Sequence, residues 1–194
     1  APTCCVDQDA VYSFFASGDV TAMSHDGKQL WSLPLLTTFG NVDNERGVAS
    51  SLAQTDDHLF VLIDHHGPSY LVAIEKQSGE VAWKTDRGER VPSWSSPVVA
   101  KSGDRNLVIA SSADTVDAYD AKTGESLWQL GGLQGNHIPS ATIDGDEIFV
   151  GSTTMYGGAT DEEATAGSNC CIQLMNVDGK ASYKVRWGAE KANS

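Results

Sequence analysis

The side chains best suited to grip a polar ligand in this sequence are the adjacent pair His65-His66, the arginines Arg46 and Arg90, the indole of Trp94, and the pair Asn136-His137. Together with Asn44 they supply cations, hydrogen-bond donors and an aromatic face, a mixture that orients a small polar molecule or a peptide. They fall between apolar runs, in stretches that read as loops, where binding groups commonly sit on a rigid scaffold. Solvated loop residues with one packing tryptophan account for the same pattern.

Other chemistries find less support. His65 and His66 diverge on an extended segment, and spacing places no third ligand beside them, so no metal site is assigned. Asp144, Asp146 and Glu147, and Asp161, Glu162 and Glu163, offer oxygens to a hard cation, yet neither group has EF-hand spacing and both read as acidic turns. No nucleophile elbow or triad context is present, and no catalytic residue is assigned. The four cysteines form two adjacent pairs, Cys4-Cys5 and Cys170-Cys171. Neighbours on a strand point to opposite faces, so these read first as small buried apolar residues, with a vicinal disulfide at Cys170-Cys171 as the alternative.

The composition limits the partners. A formal charge of −13 and a pI near 4.5 repel polyanions, so nucleic acid is not expected. No apolar stretch approaches the roughly 18 residues of a membrane span. The chain opens on Ala1-Pro2-Thr3 without a basic and apolar leader, so either a leader has been removed or the chain is a fragment.

The elements that must position the loops come from a repeat. Its tail reads Ala22-Met23-Ser24-His25-Asp26-Gly27-Lys28-Gln29-Leu30-Trp31, then Ala73 to Trp83, then Ala118-Tyr119-Asp120-Ala121-Lys122-Thr123-Gly124-Glu125-Ser126-Leu127-Trp128, and more weakly Asn176 to Tyr183. Successive glycines, Gly27, Gly79, Gly124 and Gly179, lie 52, 45 and 55 residues apart, the length of a four-stranded blade. Each glycine supplies the turn of a hairpin, and Trp31, Trp83, Trp128 and Tyr183 follow it as the aromatics that dock one blade on its neighbour. Trp187 lies outside this register. The head of the unit repeats too, in Pro2 to Tyr12, Ser50 to Ile63, Ser96 to Ile109 and Pro139 to Phe149. No stretch shows sustained helical periodicity, so the whole chain is expected to be antiparallel β, with blades over 1–35, 46–87, 91–132 and 137–187. Leu35 to Gly40 reads as a blade connection and Met155 to Asn169 as an inserted loop.

Ala118, Asp120, Thr123, Gly124 and Trp128 resemble the Ala-x-Asp-x-x-Thr-Gly-x-x-x-Trp docking motif of pyrroloquinoline-quinone-like β-propellers, and the likeness covers essentially the whole chain. Val91 to Val99 and His65 to Leu71 look like the secreted bacterial propellers of this type. The resemblance implies an all-β propeller of four four-stranded blades, half of a seven- or eight-bladed ring, completed by a second copy, another chain or further blades. It implies a periplasmic or secreted location. It also implies that the loops joining blades share a face with those joining second to third strands, which gathers Arg46, His65, His66, Arg90, Trp94, Asn136 and His137 around the channel mouth. A non-catalytic protein- or ligand-binding scaffold without a cofactor is the expected function. Part of a quinone-dependent dehydrogenase, using pyrroloquinoline quinone and calcium, is the alternative. Some such enzymes place a vicinal disulfide over the quinone, which Cys170-Cys171 resembles, although no base or calcium ligand carries over to a residue here.

Overall fold

The computed structural model describes residues 2–44, 47–135, 138–153 and 162–189. They form four four-stranded antiparallel sheets, each built from strands consecutive in the chain. Blade 1 holds β1 (Cys5–Val6), β2 (Val11–Phe14), β3 (Asp19–Met23) and β4 (Gln29–Pro34); blade 2 holds β5 (Ala53–Gln54), β6 (His58–Ile63), β7 (Pro68–Glu75) and β8 (Val81–Glu89). Blade 3 holds β9 (Val98–Ser102), β10 (Arg105–Ser111), β11 (Val116–Asp120) and β12 (Ser126–Leu130); blade 4 holds β13 (Thr142–Asp144), β14 (Glu147–Val150), β15 (Cys170–Val177) and β16 (Lys180–Gly188).

Two short helices depart from the all-strand expectation. Leu35–Phe39 makes α1 in the connection after blade 1, where buried Leu35 anchors it, and Glu162–Gly167 makes α2 within the stretch expected to be a loop. Each is too short to carry the amphipathic repeat by which a helix is recognised in a sequence. Among the described residues no helix is long and apolar enough to cross a membrane.

Burial follows each blade's place in the series. The middle blades are covered on both faces, so β6 (HLFVLI) and β7 (PSYLVAIE) are buried almost continuously. In the end blades the second strands alternate, β2 (VYSF) and β14 (EIFV) burying every second residue. This is the pattern of a sheet with one face packed. Three apolar cores join consecutive blades. Tyr12, Phe14, Val20 and Ala22 meet Leu59, Val61, Val72 and Ile74; Phe60, Leu62 and Ala73 meet Val108 and Tyr119; Leu107, Ile109 and Ala118 meet Ile148, Ile172 and Leu174. No apolar core of the described residues joins blade 4 to blade 1.

Candidate functional site

Where blades 2 and 3 meet, the apolar core between them is extended by charge. Arg87 on β8 is fully buried and donates through Nε to Asp64 Oδ1 at 2.9 Å and through Nη2 to Asp64 Oδ2 at 3.2 Å. The same guanidinium reaches Tyr119 Oη at 2.5 Å and Ser112 Oγ at 2.5 Å, and lies 3.3 Å from Asp117 Oδ2. Arg90 completes the cluster, donating to Thr115 Oγ1 at 2.7 Å and to the Arg87 carbonyl at 3.0 Å, with Asp117 Oδ1 at 3.6 Å. Two guanidinium groups thus face two buried carboxylates, with exposed Asp114 at 3.7 Å from Arg90 at the rim. Burial alone would lower the Arg87 pKa, but Asp64, Tyr119 and Asp117 raise it above the usual arginine value. Burial likewise pushes the Tyr119 phenol up. Sequence reading picked out Arg90 alone of this cluster. Arg87, Asp64 and Asp117 were missed because a strand sequence does not show which charged residues lie opposite each other across a blade junction.

The other channel-mouth candidates separate. His65 is buried, its Nδ1 accepts from the Asp43 N–H at 3.1 Å, and its Nε2 lies 3.1 Å from the Pro68 carbonyl. These contacts assign the neutral tautomer protonated at Nε2, and both ring nitrogens are engaged. His66 is exposed, and its backbone N–H donates to the Asp43 carbonyl at 3.1 Å. Trp94 is partly buried, with its Nε1 enclosed and unpartnered. Arg46, Asn136 and His137 lie outside the described residues. Of the expected cluster, then, His65 and Arg90 are held by internal hydrogen bonds and the loops around them.

At the opposite end of blades 1 and 2 lies a cleft of about 580 Å³, lined by Asp7, Asp9, Tyr12, Asp56, His58 and Lys76 among others. Its one buried cation, Lys76 Nζ, is 2.8 Å from Asp7 Oδ2. Burial would raise the Asp7 pKa, but Lys76 and the N–H groups of Asp9 and Ala10 hold it well below the usual carboxylate range. Among the described residues no three His, Cys, Asp or Glu side chains converge on a point where a metal could sit.

All four cysteines are free thiols. Cys170 packs into the core between blades 3 and 4, whereas Cys171 pairs with Phe149 and Trp187 on the other face of β15. The two side chains diverge as strand geometry requires.

A ladder of four residues crosses each blade toward the next: Cys5-Tyr12-Ala22-Trp31, then Ala53-Phe60-Ala73-Trp83, then Val98-Ile109-Ala118-Trp128. Blade 4 supplies Thr142-Phe149-Cys171-Trp187. A bulge skips the residue just before the tryptophan in all four, at Leu30, Ala82, Leu127 and Arg186. Trp187, expected outside the register, therefore takes the docking position of blade 4. Tyr183 joins the docking from the receiving side, its ring 4.7 Å from that of Trp128 and its hydroxyl donating to the Gln129 carbonyl at 3.0 Å. The final hairpin is longer than its counterparts, so counting from Gly179 stops at Tyr183, and only the strand pairing reveals Trp187.

The preceding tryptophans are seated on the next blade. Trp31 Nε1 donates to the Lys76 carbonyl at 2.8 Å and Trp83 Nε1 to that of Ala121 at 3.2 Å. A second row of bonds runs just ahead of each first strand: Thr3 N to Ser51 Oγ at 2.9 Å, Ser51 N to Ser96 Oγ at 2.8 Å, and Ser96 N to Ser140 Oγ at 2.8 Å. Among the described residues Trp187 has no such seat, and it is 49% exposed.

The family model described as outer membrane protein assembly factor BamB matches residues 16–169. A quinoprotein alcohol dehydrogenase, PedE of Pseudomonas putida, is 35% identical over 134 residues, which is 62% of this chain and 20% of that protein. BamB from Moraxella catarrhalis superposes with a TM-score of 0.59 at 15% identity, over 94% of this chain and 47% of that one. The quinohemoprotein alcohol dehydrogenase of Comamonas testosteroni gives 0.61 at 15% identity, over 98% and 35%. This chain thus spans about a fifth of that curated relative (20%) and less than half (47% and 35%) of the two solved chains.

Proposed function

We propose, from the premise that this chain belongs to the pyrroloquinoline-quinone-like repeat family described as outer membrane protein assembly factor BamB, that it is a non-catalytic extracytoplasmic propeller segment that binds protein through its blade faces. The observation that carries this reading is the ladder of blade 4, which repeats the docking geometry of the other three blades and ends on a half-exposed tryptophan. An aromatic pair of this kind, Phe149 and Trp187 with rings 6.3 Å apart, suits a protein-interaction surface on a rigid scaffold.

The likeness to quinoprotein alcohol dehydrogenases favours a second reading, in which the chain is part of a quinone-dependent dehydrogenase. The described residues do not fit a quinone and calcium well. Adjacent Cys170 and Cys171 point to opposite faces, and Arg87 and Arg90 already face Asp64 and Asp117.

Incubation with pyrroloquinoline quinone and calcium, followed by dye-linked oxidation of alcohols and sugars, separates the two. No turnover is expected. Clear turnover above the protein-free control would overturn the binding reading.

A further inference from the structure

Resting on that reading, we infer that the protein bound at the open face of blade 4 is a second copy of this chain. Trp187 of one copy sits on the Gly27 turn of the other, and the reciprocal contact closes a ring of two copies and eight blades. The template is the junction that the chain already makes. A β-carbon built on Gly79 would lie 2.6 Å from the Trp31 ring, and one on Gly124 would lie 2.5 Å from that of Trp83, so each glycine turn is the floor on which the preceding tryptophan rests. Gly27 has the same positive φ, 87°, and nothing within 4 Å of that position. Among the described residues, blade 1 therefore presents an empty floor and blade 4 an indole without one.

The hydrogen-bonding groups match as well. Lys76 and Ala121, whose carbonyls accept from the indoles, each follow the residue whose carbonyl accepts from the turn glycine, Glu75 and Asp120. In blade 1 that acceptor is Ser24, which makes the His25 carbonyl the partner for Trp187 Nε1. The serine row ends at the Ser140 N–H on blade 4 and begins at Thr3 on blade 1, whose hydroxyl is the group that the next step requires.

The open face of blade 1 is apolar where the indole would land, with Val11 opposite Met23 and Val6 beside them. Lys180 and Lys184 on β16 are exposed, as are Asp9 and Asp26 on blade 1, so the two faces carry opposite charges. A head-to-tail contact closes when its rotation divides a full turn, and otherwise propagates. One copy overlays 47% of the solved BamB chain, so two copies account for a chain of that size.

The test uses the 194-residue chain at micromolar concentration, measured by light scattering with size exclusion. A mass twice 20.6 kDa is expected for the wild type and a mass near 20.6 kDa for Trp187→Ala, with unchanged circular dichroism in the variant. A benzophenone side chain placed at position 187, in a mixture of isotopically light and heavy protein, should crosslink to residues 24–28 in mixed-isotope pairs. A wild-type monomer, crosslinks confined to one copy or falling elsewhere, or assemblies larger than two copies would each overturn the ring. These results would leave the binding reading standing, since that reading falls only to quinone-dependent turnover.

Discussion

Trp83 on blade 2 rests on Gly124 of blade 3: a β-carbon at that glycine would lie 2.5 Å from the indole, and the Trp83 Nε1 donates to the Ala121 carbonyl at 3.2 Å. Gly124 also has φ of +75°, a region that side chains with a β-carbon rarely adopt. Gly124→Ala is therefore expected to lower the denaturation midpoint through two effects, backbone strain and displacement of the ring. Gly27→Ala, with the same sign of φ and open space around it in one copy, carries only the strain within that copy. An equal loss at both positions, by chemical denaturation in the monomeric Trp187→Ala background, would show that seating on the glycine contributes nothing.

The docking tryptophans are expected to respond differently to the same change. Trp128 is 8% exposed and its Nε1 has no hydrogen-bond partner, because Tyr183 receives its ring. Trp128→Ala should cost about 3–5 kcal/mol as a large cavity-forming truncation. In Trp83→Phe the Ala121 carbonyl loses its donor, at about 0.5–1.5 kcal/mol beyond the packing change, a penalty that Trp128→Phe does not incur. Urea titrations of the two phenylalanine variants decide this. A larger loss at 128 than at 83 would contradict the assigned partners.

Arg87 faces Asp64 and Asp117 in a site from which water is excluded. Arg87→Leu leaves two carboxylates buried with only Arg90 nearby, and a loss of about 3–5 kcal/mol is expected, the range for breaking a buried pair by removing one partner. The triple change Arg87→Leu, Asp64→Leu, Asp117→Asn should recover part of that loss, since an apolar replacement of a buried ion pair is often near neutral. A triple variant less stable than the single one would mean that the cluster stabilises beyond mutual neutralisation.

Acid should weaken the junction of blades 1 and 2. The Asp7 carboxyl is held below its usual pKa by Lys76, so the folded state binds its proton less readily than the unfolded chain. The stabilisation is complete above the ordinary aspartate value of about 4 and is lost progressively as the pH falls below it. Asp7→Asn should be less stable than the wild type at pH 7, and the gap should narrow as the pH falls from 5 to 3. A constant gap across that range would remove the ion pair as the cause.

Thiol chemistry reports on the open face. Burial raises the pKa of Cys170, Cys171 and Cys5, whereas Cys4 is exposed. The native reduced protein should show one fast-reacting thiol, Cys4, and all four should react in denaturant. Rapid labelling of Cys171 in the native state would show that Trp187 and its neighbours do not cover that thiol.

The sequence by itself determined the four-blade repeat, because each blade spends its local signals in a fixed order: acidic turn, apolar strand, glycine turn, aromatic strand. Trp31, Trp83 and Trp128 were legible at a constant distance from Gly27, Gly79 and Gly124. Trp187 escaped because the last hairpin is longer, and only the pairing Phe149-Cys171-Trp187, with its bulge at Arg186, shows that it lies where the other tryptophans lie. Likewise Arg87 and Asp117 lie on strands of two different blades and Asp64 just after β6, and their union depends on how those blades stack. Turn chemistry and strand periodicity are local and can be read along the chain. Which charge meets which, and which aromatic face is left open, is decided by contacts between residues far apart in sequence, and those exist only once the blades have packed.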